Sequence, residues 1–221
     1  MENMKAKTIV VCNQKGGPGK TTVTMQLAGT LGLRNKVLVI DADPQGTSLR
    51  WFAMADDDQP FPATVVSLSE AGDKVHHGIK RFITDYDYII VDCPPADNSP
   101  IPKSALLVAD LAIIPVRPSP LDLWATLGIK KTIEDVSVIN EGLQARLLLN
   151  QCQPNLTLTK DILEVLPQIK MDRFNSLLHL RTAYSKSASE GTTVHRVSGS
   201  SNKAIDEINS VAKEVLELLN G

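Results

Sequence analysis

The chain has 221 residues, 43% of them hydrophobic, which is enough for one α/β domain with a sizeable core and short for two. A formal net charge of −2 excludes a global basic field, so any nucleic acid must be met by a local patch. Three widely separated cysteines, Cys12, Cys93 and Cys152, make no disulfide framework. Without an N-terminal apolar segment or a run of about 18 apolar residues, a cytoplasmic protein with no membrane partner is expected.

In chain order, short apolar runs alternate with amphipathic stretches, the pattern of a mostly parallel twisted sheet with helices on both faces. Strands are predicted over residues 8–12, 37–41, 88–92, 111–115, 145–150 and 176–180. A helix is predicted over 20–33, where Val23, Leu27 and Leu31 recur at four-residue spacing. Another is predicted over 203–219 through Ile205, Ile208, Val211, Ala212, Val215 and Leu219. The Pro-rich piece 115–120 and the Ser/Thr-rich piece 192–201 read as surface loops. Three of the strands end at charged or Gly-rich residues, which places the chemistry at the carboxyl edge of the sheet.

The first of these ends is Lys15-Gly16-Gly17-Pro18-Gly19-Lys20-Thr21-Thr22. A strand, a Gly-rich loop and a Lys-Thr opening a helix form the recipe for holding a triphosphate. Backbone N–H groups converge on the oxygens and the helix N-terminus adds its positive end. Lys20 is expected on the β- and γ-phosphates of ATP, and Thr21 on Mg2+. The common pattern wants glycine where Gln14 stands, and Lys15 adds a second cation. That cation has no evident use within one subunit. It is either a solvated lysine or one that reaches a neighbour's site, as an arginine finger does in trans.

Two acidic elements accompany the loop. Asp41 and Asp43 follow the strand 37–41, and Asp92 ends the strand 88–92, as an aspartate holding Mg2+ through water should. A lone acid there is often a cap or turn residue, but two such strand ends beside a phosphate loop argue for a metal site.

With these three motifs the chain resembles the ParA/MinD family of Walker-type P-loop ATPases with a deviant Walker A loop. The resemblance implies a single-domain P-loop ATPase over residues 1–221 that binds ATP and Mg2+. It makes Lys15 the signature lysine of an ATP-bound homodimer and Asp43 the catalytic residue that orients or deprotonates the attacking water. Asp41 would support the metal shell, and Asn150 matches a position that often contacts adenine or else simply ends its strand. Lys15, Lys20 and Asp43 are thus the expected catalytic residues, and Thr21, Asp41 and Asp92 the expected metal residues.

Within the family, the last helix carries Asp206, Glu207, Glu214 and Glu217 against Lys203 and Lys213, unlike a basic lipid-binding helix. Cys93 lies inside the aspartate motif, unlike a cluster ligand. Only seven residues precede Thr8, so no N-terminal helix-turn-helix domain is expected. The chain is most similar to short, ParF-like partition ATPases. Arg181, Lys186, Arg196 and Lys203 stand against the single acid Glu190 between residues 181 and 203, and are expected to meet non-specific DNA if they are more than a solvated loop. Aromatics at 4% offer no platform for sequence readout.

The resemblance implies a nucleoid-associated ATPase that segregates plasmid or chromosome DNA, stimulated by a cargo-bound, ParB-like adaptor. Alternatives are a protein cargo such as carboxysomes or chemoreceptor clusters, a filament-forming role, and a small-molecule ligase-type ATPase.

Overall fold

Apolar runs too continuous to have a wet face become central strands, buried on both sides. A computed structural model describes residues 5–153, 162–197 and 202–221, apart from the side chain of Asn98. Its strands are β1 (Lys7–Val11), β2 (Val37–Asp41), β3 (Thr64–Ser67), β4 (Tyr88–Asp92), β5 (Leu111–Val116) and β6 (Gln144–Leu149). They form one sheet in the order β3-β2-β4-β1-β5-β6, every pairing parallel. In register, Val11 lies beside Asp92 and Asp92 beside Asp41, so the glycine loop and two carboxylates share one edge.

Helices cover both faces. On one side, α1 (Lys20–Leu31), α2 (Thr47–Ala53), α6 (Thr182–Ser189) and α7 (Asn202–Asn220) pack on Ile9, Val39, Ile90 and Ile113. On the other, α3 (Val75–Lys80), α4 (Ile101–Leu106) and α5 (Pro120–Ser137) pack on Val10, Leu38, Ile89 and Ile114. Helix α7 buries Ala204, Ile208, Val211, Ala212, Val215 and Leu219 as one stripe. Each large side chain there contributes about 1.5–3 kcal/mol of burial. Near its end, Gln144 Nε2 donates to Leu218 O at 2.9 Å, which puts the last turn of α7 at the amino edge of the sheet. Cys12, Cys93 and Cys152 are all buried free thiols.

The structure corrects four expectations. Residues 176–180 form no strand. Phe174, Leu178 and Leu180 do donate to the carbonyls of Leu147, Leu149 and Cys152, but the amide of Ser176 between them turns to the carboxylate of Glu214 on α7, which interrupts the ladder. Thr192, Thr193, Val194 and Val197 are buried and not a surface loop; Gln26 Oε1 accepts from Val194 N at 3.0 Å. Residues 198–201 lie outside the described residues. Pro115 and Val116 belong to β5, and Pro120 is the first residue of α5, where its missing N–H costs nothing. Helix α1 stops at Leu31, ahead of Gly32 and Leu33.

Candidate nucleotide site

Strand β1 delivers the glycine loop to the carboxyl edge, and α1 leaves it at Lys20. Gly17 and Gly19 have φ of 97° and 90°, a region that residues with a Cβ avoid. A Cβ on Gly19 would stand 2.4 Å from Asn150 Nδ2. That contact is functional for the loop, because Asn150 Nδ2 donates to Pro18 O at 2.8 Å, while Gln151 Nε2 donates to Gly17 O at 3.2 Å. Asn150 Oδ1 accepts from Gln151 N at 2.9 Å, which fixes the segment after β6 to which the loop is tied. Lys20 is buried and donates from Nζ to Lys15 O at 3.1 Å. Lys15 is exposed. Gly16 is exposed, Pro18 buried and Thr22 half-buried.

Asp92 sits at the end of β4, almost fully buried. Its Oδ2 accepts from Thr21 Oγ1 at 2.7 Å and from Ser48 Oγ at 2.8 Å. Its Oδ1 is buried with no partner among the described residues. Burial pushes this carboxyl up to about 7; the two hydroxyls pull it down, the charge of Asp41 pushes it up and Lys20 pulls it down. A buried carboxylate oxygen without a protein partner, on an acid whose other oxygen accepts from Thr21, suits the shell of a hydrated divalent cation. The residues fit Mg2+, which Thr21 and Asp92 would hold and which would supply positive charge to offset that of the phosphates.

Asp41 is placed differently. It is fully buried; its Oδ1 accepts from Asp43 N at 3.2 Å and its Oδ2 from Leu49 N at 2.9 Å. Burial raises its pKa, and these backbone bonds oppose the rise. Asp41 therefore shapes the turn that carries Asp43 into α2. Asp43 is half-buried, with Oδ1 accepting from Gln45 N at 2.9 Å.

Two participants were missed from sequence. Ser48, in the first turn of α2, was hidden because its partner Asp92 is 44 residues away. The signal was a hydroxyl opening a helix just after the acidic turn. Arg117 stands 3.9 Å from where a Cβ on Gly17 would be, held by Asp122 at 3.0 and 3.1 Å.

Beyond Thr22 lies a cavity of about 370 Å³ walled by Asn150, Gln151, His179, Arg181 and Tyr184. It is continuous with the loop and has room for the nucleoside end of a nucleotide. Arg181, expected at a DNA face, lines this cavity: it donates from Nε to both carboxylate oxygens of Glu207 at 3.1 and 3.0 Å, and His179 Nδ1 contacts the same carboxylate at 2.6 Å. The other three basic residues are not gathered with it. Lys186 is exposed on α6 and meets Glu190 at 3.7 Å, Arg196 donates to Pro60 O at 2.6 Å, and Lys203 is exposed in the first turn of α7.

A family model described as the CobQ/CobB/MinD/ParA nucleotide binding domain matches residues 9–194. The chain belongs to this family. It is 32% identical to the maintenance of carboxysome distribution protein A of Halothiobacillus neapolitanus, covering 98% of this chain and 99% of that one. With the sporulation initiation inhibitor protein Soj of Bacillus subtilis it shares 27% identity, over 65% of this chain and 70% of Soj. Among solved structures, an ATP complex of a Cyanothece McdA variant superposes with a TM-score of 0.78 at 17% identity, covering 98% of this chain and 97% of that one. A plasmid partition protein of Borrelia burgdorferi bound to AMPPNP gives 0.78 at 20% identity, covering 96% and 99%. At these identities the likeness speaks to the fold, which is that of ParA/MinD-type P-loop ATPases. The chain is a positioning ATPase of that type, and no helix among the described residues is long and apolar enough to cross a membrane.

Proposed function

We propose that the chain binds Mg-ATP, dimerises in that state, holds non-specific DNA, and releases it when a cargo-bound adaptor stimulates hydrolysis. The carrying observation is the division between the two loop lysines. Lys20 is buried and donates to the carbonyl of Lys15, whereas Lys15 is itself exposed, where a second subunit could meet it. In this reading Gly16 to Thr22 cradle the phosphates, Thr21 and Asp92 hold Mg2+, and Asp43 orients the attacking water. Asn150 keeps the loop open beside the base, and Asp41 sets the turn that carries Asp43. Lys203, with Lys186 and Arg196, supplies cations to DNA, and Arg181 acts from the cavity wall.

For cargo, the likeness to a carboxysome distribution protein over 98% of the chain favours a protein body of that kind. The likeness to Soj keeps chromosome or plasmid DNA as the second reading. Gene deletion followed by imaging separates them. Clustered carboxysomes with normal plasmid inheritance support the first, whereas plasmid loss with evenly spaced carboxysomes replaces it with the second.

A further inference from the structure

The segment after β6 meets the glycine loop with two consecutive amide side chains, and the second of them, Gln151, sits in an unusual backbone. Its φ is 58°, a left-handed conformation that a residue with a Cβ adopts at a cost. The residues on either side hold it there. Asn150 N donates to Val116 O at 2.9 Å and Cys152 N to Leu178 O at 3.0 Å, while Gln151 N itself donates to Asn150 Oδ1 at 2.9 Å. Glycine or asparagine would occupy this position with less strain. The use of a glutamine lies across the loop.

Gln151 Nε2 donates to Gly17 O at 3.2 Å, and it stands 3.3 Å from where a Cβ on Gly19 would be. One amide thus lies against both of the loop glycines that have positive φ. Gly17 also meets the guanidinium of Arg117, whose Cζ and Nη2 lie 3.9 Å and Nη1 4.0 Å from where its Cβ would be, a face-on approach. Asp122 fixes that guanidinium in turn. Gly17 is therefore held between the ends of β5 and β6 by contacts internal to the protein.

The carbonyl that Gln151 takes is the one the loop most needs turned aside. The Gly17–Pro18 peptide has no N–H, because proline supplies its nitrogen. Facing the phosphates, it would offer them only an oxygen, where the site works through N–H groups. Asn150 Nδ2 takes the next carbonyl, Pro18 O, in the same way at 2.8 Å.

We propose that Gln151 is a positioning residue of the nucleotide site: by drawing the Gly17 carbonyl toward β6, it keeps the N–H groups of the loop turned to the phosphates. This rests on the reading of the loop as the Mg-ATP site. Gln151 also lines the cavity beyond Thr22, but its bond to Gly17 acts on the phosphate end, so its contribution does not depend on the base.

The test compares Mg-ATP, by calorimetry, with Mg-tripolyphosphate, which has the phosphates and no nucleoside, by competition against a fluorescent ATP analogue. Gln151→Gly accepts the backbone conformation and removes the amide. Gln151→Asn accepts it too, but its amide is one methylene short of Gly17. Both variants are expected to weaken the two ligands by the same factor, about threefold to tenfold, the scale of one neutral hydrogen bond. Tm should change little, because both residues relieve the strain at position 151. Unchanged affinity for Mg-ATP in either variant overturns the proposal. A loss for Mg-ATP with tripolyphosphate unaffected also overturns it and makes Gln151 a base contact. A fall in Tm of more than about 4 °C in both variants overturns it as well, by making the role structural. Wild-type protein without affinity for Mg-ATP removes instead the phosphate-site reading, and the proposal with it.

Discussion

The Thr21 hydroxyl donates to Asp92 Oδ2 across 2.7 Å, joining the first turn of α1 to the end of β4. Because Ser48 uses the same oxygen, the other carboxylate oxygen of Asp92 is left open in a buried site. Thr21→Ala should remove one group from this metal position, and Lys20→Ala one charge from the phosphates. Each should weaken Mg-ATP binding by about 10- to 100-fold, the equivalent of one charge-assisted hydrogen bond. Calorimetry with unchanged affinity in either variant would reject the assignment.

Among the described residues no hydrogen bond joins Asp43 to Thr21 or Lys20, and its Oδ1 accepts from Gln45 N. Asp43→Ala should bind Mg-ATP normally and turn over about 100- to 10,000-fold more slowly, the range for losing a water-orienting or general-base group. Full turnover would shift the role to another residue.

Lys15 is the exposed lysine of the loop. Lys15→Ala should keep nucleotide affinity and remain monomeric with ATP in sedimentation. A dimer that persists would reduce Lys15 to a solvated side chain.

Glu207 gathers Arg181 and His179 at the edge of the cavity. Burial raises its pKa, but the bonds from Arg181 and His179 outweigh this, and the net shift is downward. The folded state therefore holds this carboxylate ionised at pH values where the unfolded chain is protonated. Its contribution is complete above the ordinary glutamate range and is lost as pH falls through the lower folded value. Glu207→Gln should cost about 1–3 kcal/mol at neutral pH. That is a fall in Tm of about 2–10 °C, and the difference from wild type should shrink as pH falls below the ordinary glutamate range. A difference independent of pH would remove the ion pairs from the explanation.

Lys203 is exposed, whereas Arg181 is tied to Glu207. ATP-loaded protein should bind unrelated duplexes alike, with log affinity falling against log salt at about −0.9 per phosphate neutralised. Lys203→Ala should flatten that slope by about two units per dimer. Arg181→Ala should weaken binding too, with a loss of thermal stability that Lys203→Ala does not share. Equal affinity with and without ATP would leave these residues as a solvated surface.

Much of this was legible because the informative signals are local. Val37 to Asp41 and Tyr88 to Asp92 are unbroken apolar runs ending in an acid, and only a central parallel strand explains them. Thr64–Ser67 escaped because it is four residues long and lies at the sheet edge with Thr64 and Ser67 exposed, leaving no run to see. Residues 176–180 failed for the opposite reason. Their pattern is strand-like, but carboxylates of a helix far along the chain capture the amides. The tie of Arg181 to Glu207 was not legible, because 26 residues separate the two in sequence.

The three thiols are buried, with burial pushing Cys12 up to about 12 and Cys152 up to about 11, and Cys93 higher still than an ordinary thiol. Native cysteines in such positions are slow to alkylate. A single cysteine introduced at exposed Asn220, in the last turn of α7, would thus take a maleimide dye selectively. Since that turn is pinned to the amino edge by Gln144, the dye would ride at the pole opposite the phosphate loop. Individual molecules could then be tracked over a DNA-coated surface, with the native cysteines left in place.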